Sequence, residues 1–371
     1  MLVFSAIFDP PTCGNAVTAN RIIENLEVLQ VCQPVVRWGR RGESDGATVF
    51  VALHALKGTA CLTDGGGRQC VEVPGRVRVL ILGGTDVSDA EDDEEARAEL
   101  VARLDVFHAI VAFTDHMAKR VSTWAPHVVP RLHVIPPAVP DRLIAMRTMP
   151  ATDAARAWAA ALPGLGTDQP FLALPTGLRP VKDPLFLLSA YAAWYRRQSG
   201  TVPRLLLFGV VRPDVPTSGS FAVAVADAVR DCDGVSLVPP ISPSLFTEVL
   251  RLPTCRGLVN CSLSEGAANA VLEAMALGVP VLARRIPGNV ALVGEAGEGG
   301  LLFDTPDDFL AQLEGLLSVD GDSPTAVAAA RLIDARHRQA HEGRQYRSLV
   351  ESLLHPDTAE DMVGVKEWWR K

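Results

Sequence analysis

Arg179 and Lys182 stand three residues apart behind the apolar run Phe171–Pro175, in the segment FLALPTGLRPVKDPLFLLSAYAAWYRRQSG. The segment predicts a helix directly after them: Asp183 as N-cap, Pro184 in the first helical position, Arg196 and Arg197 in the last turn and Gly200 behind it. Two cations on a loop that feeds a helix N-terminus, where free N–H groups and a partial positive charge gather, make an anion site. Two ordinary surface cations near a cap fit the local sequence equally well.

A second group lies in NCSLSEGAANAVLEAMALGVPVLA, residues 260–283, which reads as a strand end, a Ser/Gly loop, an Ala-rich helix closed by Gly278 and a new strand. Glu273 is the only charged residue between Gly266 and Gly278, and a lone carboxylate on a closely packed helix needs a partner to offset its desolvation. Glu265 precedes it by eight residues, about 12 Å along a helix axis, comparable to the reach from a sugar across a diphosphate to a ribose. A diphosphate would then rest on the amides of Gly266, Ala267, Ala268 and Asn269, with ribose hydroxyls on Glu273 and a transferred sugar on Glu265. The plainer alternative is a surface Glu273 and a loop carboxylate at Glu265.

A third loop, PPTCGNAVTANRIIENL, follows the first apolar run, with Gly14 permitting close backbone approach and Asn15 as N-cap of a helix over Ala16–Leu26. His54 follows the apolar run Val49–Leu53, which puts it at the carboxyl end of a strand, as a general base or a hydrogen-bonding group. A structural histidine capping a loop is an equal reading. The other seven histidines show no ligand spacing and read as structural or solvent-facing.

These loops must be held by a scaffold. Apolar runs at Leu2–Phe8, Val77–Leu82, Ala109–Phe113, Phe171–Pro175, Arg204–Val210, Gly257–Cys261 and Val279–Ala283 alternate with helical stretches, the pattern of parallel sheets with crossover helices. The matching order of strand, Gly/Pro loop and helix at Leu2–Gly14 and Phe171–Asp183 points to two doubly wound halves, with a seam at 162–170. The 371 residues also fit two domains. The acidic stretch Asp86–Glu99 reads as a solvated loop leading into a helix, and Gly65–Gly67 as a hairpin turn.

Composition narrows the function. With 35 Lys+Arg against 43 Asp+Glu the net charge is −8, which offers no basic face for nucleic acid. The opening MLVFSAIFDPP has too few apolar residues for a signal peptide or a transmembrane segment. Seven cysteines without a C-x-x-C pair fit reduced thiols in a cytoplasmic setting and no zinc site. No G-x-G-x-x-G follows a strand and no G-x-x-x-x-G-K-[ST] occurs, which argues against a nicotinamide oxidoreductase or a nucleoside triphosphatase.

The run S-E-G-x6-E-A-M-A-L-G-V-P-V-L-A resembles the E-x7-E signature of family-four retaining glycosyltransferases, with G-L-R-P-V-K upstream and the N-terminal glycine loop in the same order. The resemblance implies an α/β fold of GT-B architecture: two Rossmann-like doubly wound domains face across a cleft, and a C-terminal helix crosses back to the first. It divides the chain into an acceptor-side domain, 1–165, a nucleotide-sugar domain, 166–340, and a C-terminal helical segment, 341–371. It implies Arg179 and Lys182 on the donor diphosphate, Glu265 on sugar hydroxyls and Glu273 on the ribose. Gly14 would approach the donor, with Gly288 and Asn289 of the loop 287–291 beside it. The substrates would be a UDP- or GDP-sugar and an acceptor, the anomeric configuration would be retained, and no metal or other cofactor would be needed.

Several positions depart from that family. Arg179 and Lys182 are separated by a shorter loop, Gly83 stands where a histidine is usual, Ala268 replaces a glycine and Ala291 a glutamate. In place of the histidine, the loop Gly83–Gly84–Thr85–Asp86 would offer backbone N–H groups and the Asp86 carboxylate to the sugar or acceptor, alongside Asn15 and His54. A nucleotide-sugar-binding protein without turnover is the alternative that these departures keep open.

Overall fold

The computed structural model describes residues 2–5, 14–28, 35–38, 49–56, 59, 76–151, 154–161, 166, 168–211, 218–319 and 323–355. The Gly65–Gly67 turn, much of the 162–170 seam and the loop ahead of Gly14 lie outside them.

The chain divides into two units, Met1–Pro137 with Gln339–Lys371, and Ala138–Arg338. In the first, β1 (Leu2–Ser5), α1 (Gly14–Val28), β2 (Val35–Trp38), β3 (Val49–Leu53) and β4 (Val77–Ile81) are followed by α2 (Gly84–Asp92), α3 (Glu94–Leu104), β5 (Ala109–Ala112), α4 (Asp115–Trp124) and β6 (Leu132–Val134). All pairings are parallel, in the order β2-β1-β3-β4-β5-β6. β3 and β5 are buried along their whole length, as strands covered on both faces must be.

The second unit opens with α5 (Asp141–Met146) and α6 (Ala154–Ala161), then alternates β7 (Phe171–Gly177), α7 (Leu188–Arg197), β8 (Arg204–Val210), α8 (Ser218–Arg230), β9 (Val235–Val238), α9 (Pro243–Leu250) and β10 (Cys255–Asn260). It continues through α10 (Asn269–Leu277), β11 (Val281–Arg284), α11 (Pro287–Val293), β12 (Leu301–Phe303), α12 (Pro306–Leu317) and α13 (Pro324–Arg336). Its parallel sheet runs β12-β11-β10-β7-β8-β9. One face packs through Leu258, Val271, Met275 and Ile333, the other through Leu172, Tyr191, Trp194 and Phe309. The chain then returns to the first unit as α14 (Gln339–Leu354).

Four expectations are corrected here. The first boundary falls after Pro137, not after residue 165, because α5 and α6 pack against α10 and α9 and so belong to the second unit. The second falls after Arg338. The acidic stretch is helical, α2 and α3, and its first member is 1% exposed: Asp86 lies under the surface while Asp93 caps α3 through the amides of Glu95 and Ala96. Helix α1 starts at Gly14, so Asn15 is its second residue and not its N-cap.

Within the first unit, α14 is held to α1 by charge. Arg21 donates from Nε and Nη2 to the two carboxylate oxygens of Glu342, both at 3.0 Å, and Asn25 Nδ2 donates to Oε2 at 2.7 Å. The pair is buried. Burial and the Glu342 charge hold the neighbouring Tyr346 hydroxyl well above the ordinary tyrosine value.

Candidate functional site

In open α/β sheets the ligand site lies at the carboxyl ends of strands where the order reverses direction. In the second sheet the chain moves outward from β7 through β8 to β9, then restarts at β10 on the other side of β7. The loops after β7 and β10 therefore leave the sheet side by side. The amide of Leu263 ties them together by donating to Val181 O at 2.9 Å.

Lys182 and Glu265, 83 residues apart, meet there: Lys182 Nζ donates to Glu265 Oε1 at 2.5 Å. Ser262 Oγ at 2.7 Å and Asn260 Nδ2 at 3.4 Å donate to the same oxygen. Among the described residues all three bonds fall on Oε1 and none on Oε2. Burial pushes the Glu265 carboxyl up, but the Lys182 charge and these bonds outweigh it and hold the group below the ordinary carboxylate range. A depressed carboxylate stabilises the fold fully above its unfolded value, ~4.3, and that contribution is lost as pH falls through the lower folded value. Acid unfolding followed by circular dichroism is expected to be shallower below pH ~4 in Glu265→Gln than in the wild type.

The loop before α7 differs from the expected cap. Arg179 is extended, φ −142° and ψ 149°, and Pro180–Lys182 forms one 3-10 turn that ends on Asp183 in the left-handed region, φ 41°. Helix α7 begins only at Leu188, so Asp183 is not its N-cap. Asp183 instead accepts from Arg284 Nη1 at 2.8 Å, while the Arg284 guanidinium lies 3.9 Å from the Phe186 ring centre and also donates to Cys261 O. Arg284 thus clamps the β7 loop to the β10 loop, a role that nothing in its local sequence announces.

Glu265 also leaves the expected helix. Residues 265–268 form a loop and α10 starts at Asn269, so the axial 12 Å spacing to Glu273 does not apply. Ala268 is the N-cap and supplies no side-chain bond, and the first turn carries no acid. The amides of Val271 and Leu272 donate to the Ala268 carbonyl at 3.0 and 3.2 Å, and no Ser, Thr, Asn or Asp oxygen caps this end. Glu273 is half-buried one turn further on, and Gly278, φ 76°, ends the helix.

Gly288 and Asn289 support this loop from behind. A Cβ on Gly288 would fall 2.1 Å from Glu265 O, so only glycine lets α11 pass the backbone that carries the carboxylate. Asn289 is fully buried and donates from Nδ2 to Asn260 Oδ1 at 3.0 Å and Arg284 O at 2.9 Å. Its side chain positions Asn260. Gly288→Ala is expected to cost about 1–3 kcal/mol by overpacking and to displace Glu265, lowering Tm as read by calorimetry.

The first unit carries a second cluster, again at carboxyl ends. The sheet reverses between β1 and β3. Directly after β3, His54 adopts φ 77°, which costs a non-glycine residue on the order of 1–2 kcal/mol. His54 Nδ1 faces Asp86 Oδ2 at 3.5 Å and Nε2 lies 3.0 Å from Thr85 Oγ1. Asp86 also accepts from the amides of Ala55 at 2.6 Å, Gly83 at 3.1 Å and Val87 at 2.8 Å. Burial raises its carboxyl above the ordinary value, opposed by the facing imidazole and those three donors. Gly84 and Thr85 are half-buried. Gly14 opens α1 behind β1.

Two Rossmann-like parallel sheets, one in each unit and each with polar residues gathered where its strand order reverses, are the α/β architecture of GT-B proteins. The chain belongs to the glycosyl transferases group 1 family: residues 178–319 match the model for that family, and a relative described as glycosyltransferase 1 domain-containing protein 1, from Xenopus tropicalis, is 32% identical over 278 residues, 74% of this chain and 75% of that protein. Two solved structures share the fold. HepE from Anabaena, in complex with UDP and glucose, has a TM-score of 0.72 at 15% identity and covers 95% of this chain and 99% of its own. Sucrose-phosphate synthase from Thermosynechococcus elongatus has a TM-score of 0.71 at 15% identity, with 96% and 99% covered. Among the described residues no helix is long and apolar enough to cross a membrane.

Proposed function

We propose that the protein transfers a sugar from a nucleoside diphosphate donor to an acceptor hydroxyl with retention of configuration, the second unit binding the donor and the first unit taking the acceptor. The observation that carries this reading is the meeting of Lys182 and Glu265 at the β7/β10 reversal. A cation for the diphosphate and a carboxylate for sugar hydroxyls stand together there, beside the uncapped start of α10. In this reading Arg179 and Lys182 bind the diphosphate and stabilise the charge that builds on it as the glycosidic bond breaks. The amides of Gly266 to Asn269 receive its oxygens, Glu265 Oε2 accepts from the sugar and Glu273 from the ribose. The positive charge comes from side chains and a helix terminus, so the step needs no metal. The HepE complex holds UDP and glucose, which makes UDP-glucose the first donor to try.

Calorimetry with UDP- and GDP-sugars, run beside a product assay, tests the reading. Binding with product, an unchanged anomeric coupling in its NMR spectrum and a rate unaffected by EDTA are expected. Heat without product would leave a nucleotide-sugar-binding protein, and neither heat nor product would refute the donor site.

A further inference from the structure

We propose that Asp86, His54 and Thr85 form a relay that turns the Thr85 hydroxyl into a hydrogen-bond acceptor for one carbohydrate hydroxyl, making Thr85 a substrate-contacting residue and His54 and Asp86 its positioning residues. This rests on the glycosyl-transfer reading and adds to it a specificity element in the unit that the family model does not reach.

The argument starts from proton placement. Burial raises the Asp86 carboxyl, yet its two oxygens accept three backbone amide hydrogens and face the imidazole, the arrangement of an acceptor-only carboxylate. The imidazole nitrogen that faces this charge, Nδ1, is then the one that carries the proton. Nε2 is left with a lone pair, so Thr85 Oγ1, 3.0 Å away, donates its only hydrogen to it. The Thr85 oxygen keeps its lone pairs for an incoming O–H. A methyl ether or deoxy position in the substrate would leave them unmatched, which is how a site rejects an analogue without the hydroxyl.

The placement agrees. His54 follows β3 and Gly83 follows β4, and Thr85 sits in the first turn of α2 at that same carboxyl edge, beside the reversal between β1 and β3 where such sheets take ligands. Gly83 makes the room: a Cβ there would meet His54 Cδ2 at 3.0 Å. His54 is held in the left-handed region, φ 77°, a conformation that persists only where its surroundings over-determine it. His54 and Asp86 are buried while Thr85 is half-buried, so the hydroxyl is the member that can meet a ligand.

The hydroxyl belongs either to the donor's sugar or to the acceptor, and the test separates them on the full-length chain. The 15N spectrum of histidine-labelled protein is expected to show His54 as the Nδ1–H tautomer, and Asp86→Asn to alter that signature. Thr85→Val is expected to weaken one probe about tenfold, the loss of one hydrogen bond, and Thr85→Ser to stay within about twofold of the wild type. Weaker UDP-glucose binding with unchanged UDP binding assigns the donor sugar. Weaker binding of D-glucose, D-mannose or myo-inositol in the presence of UDP assigns the acceptor. An Nε2–H tautomer at His54, or a Thr85→Val variant that binds every probe as the wild type does, overturns the relay and leaves the donor site standing. A wild type that binds none of the probes, UDP included, refutes the donor site and the relay with it.

Discussion

Lys182→Met is expected to lower kcat for sugar transfer by about 10²–10³-fold, the loss seen when one fixed charge or donor is removed from a developing anion. Methionine keeps most of the stem and deletes the ammonium. The charge on the leaving diphosphate peaks in the transition state, so the loss should fall on kcat more than on KM. Glu265 would lose its counter-charge but keep the bonds from Ser262 and Asn260, and it retains some exposure, 13% of its side chain. The fold should therefore survive with a lowered Tm, and a cooperative melt with a wild-type circular dichroism spectrum is the control. Product formation from UDP-glucose, or from whichever nucleotide sugar the panel selects, gives the measurement. A stable variant with unchanged kcat would remove Lys182 from the chemistry.

Glu342→Ala carries the largest expected effect on stability. Arg21 would be left buried without an opposing charge, which typically costs 3–5 kcal/mol, about 10 °C in Tm at the 2–4 °C per kcal/mol of a domain this size. The double variant Arg21→Met with Glu342→Leu removes both charges and should recover most of that loss, because a well-packed apolar pair often equals a buried ion pair. Thermal unfolding of Arg21→Met, Glu342→Leu and the double variant gives the coupling energy. If Glu342→Ala melts with the wild type, the pair contributes nothing to holding α14 on α1.

The sheets were legible because parallel strands covered on both faces are written as unbroken apolar runs; Ala109–Phe113 and Arg204–Val210 show this directly. The convergence of Lys182 and Glu265 was legible too, since each follows such a run and the two runs read as strands of one half. The rest depended on partners far apart in sequence. Asp183 before Pro184 carries every local mark of an N-cap, yet Arg284, 101 residues later, draws it into a left-handed turn. Asp86 opens an acidic run that looks solvated, and only the neighbouring end of β3, 31 residues earlier, supplies the Ala55 amide and the imidazole that justify its burial. The unit boundary was misplaced because α5 and α6 have no mark in the sequence of which sheet they will cover.

The return of the chain at Gln339 sets an order of events during synthesis. Residues 138–338 leave the ribosome as one uninterrupted stretch and can complete their unit first, as domains generally fold in turn. The earlier stretch must wait with Arg21 uncompensated until Glu342 emerges, some 320 residues behind it. A chain that stops at Arg338 would deliver a finished second half attached to a first half missing α14, and that exposed half is the part a protease or chaperone would find.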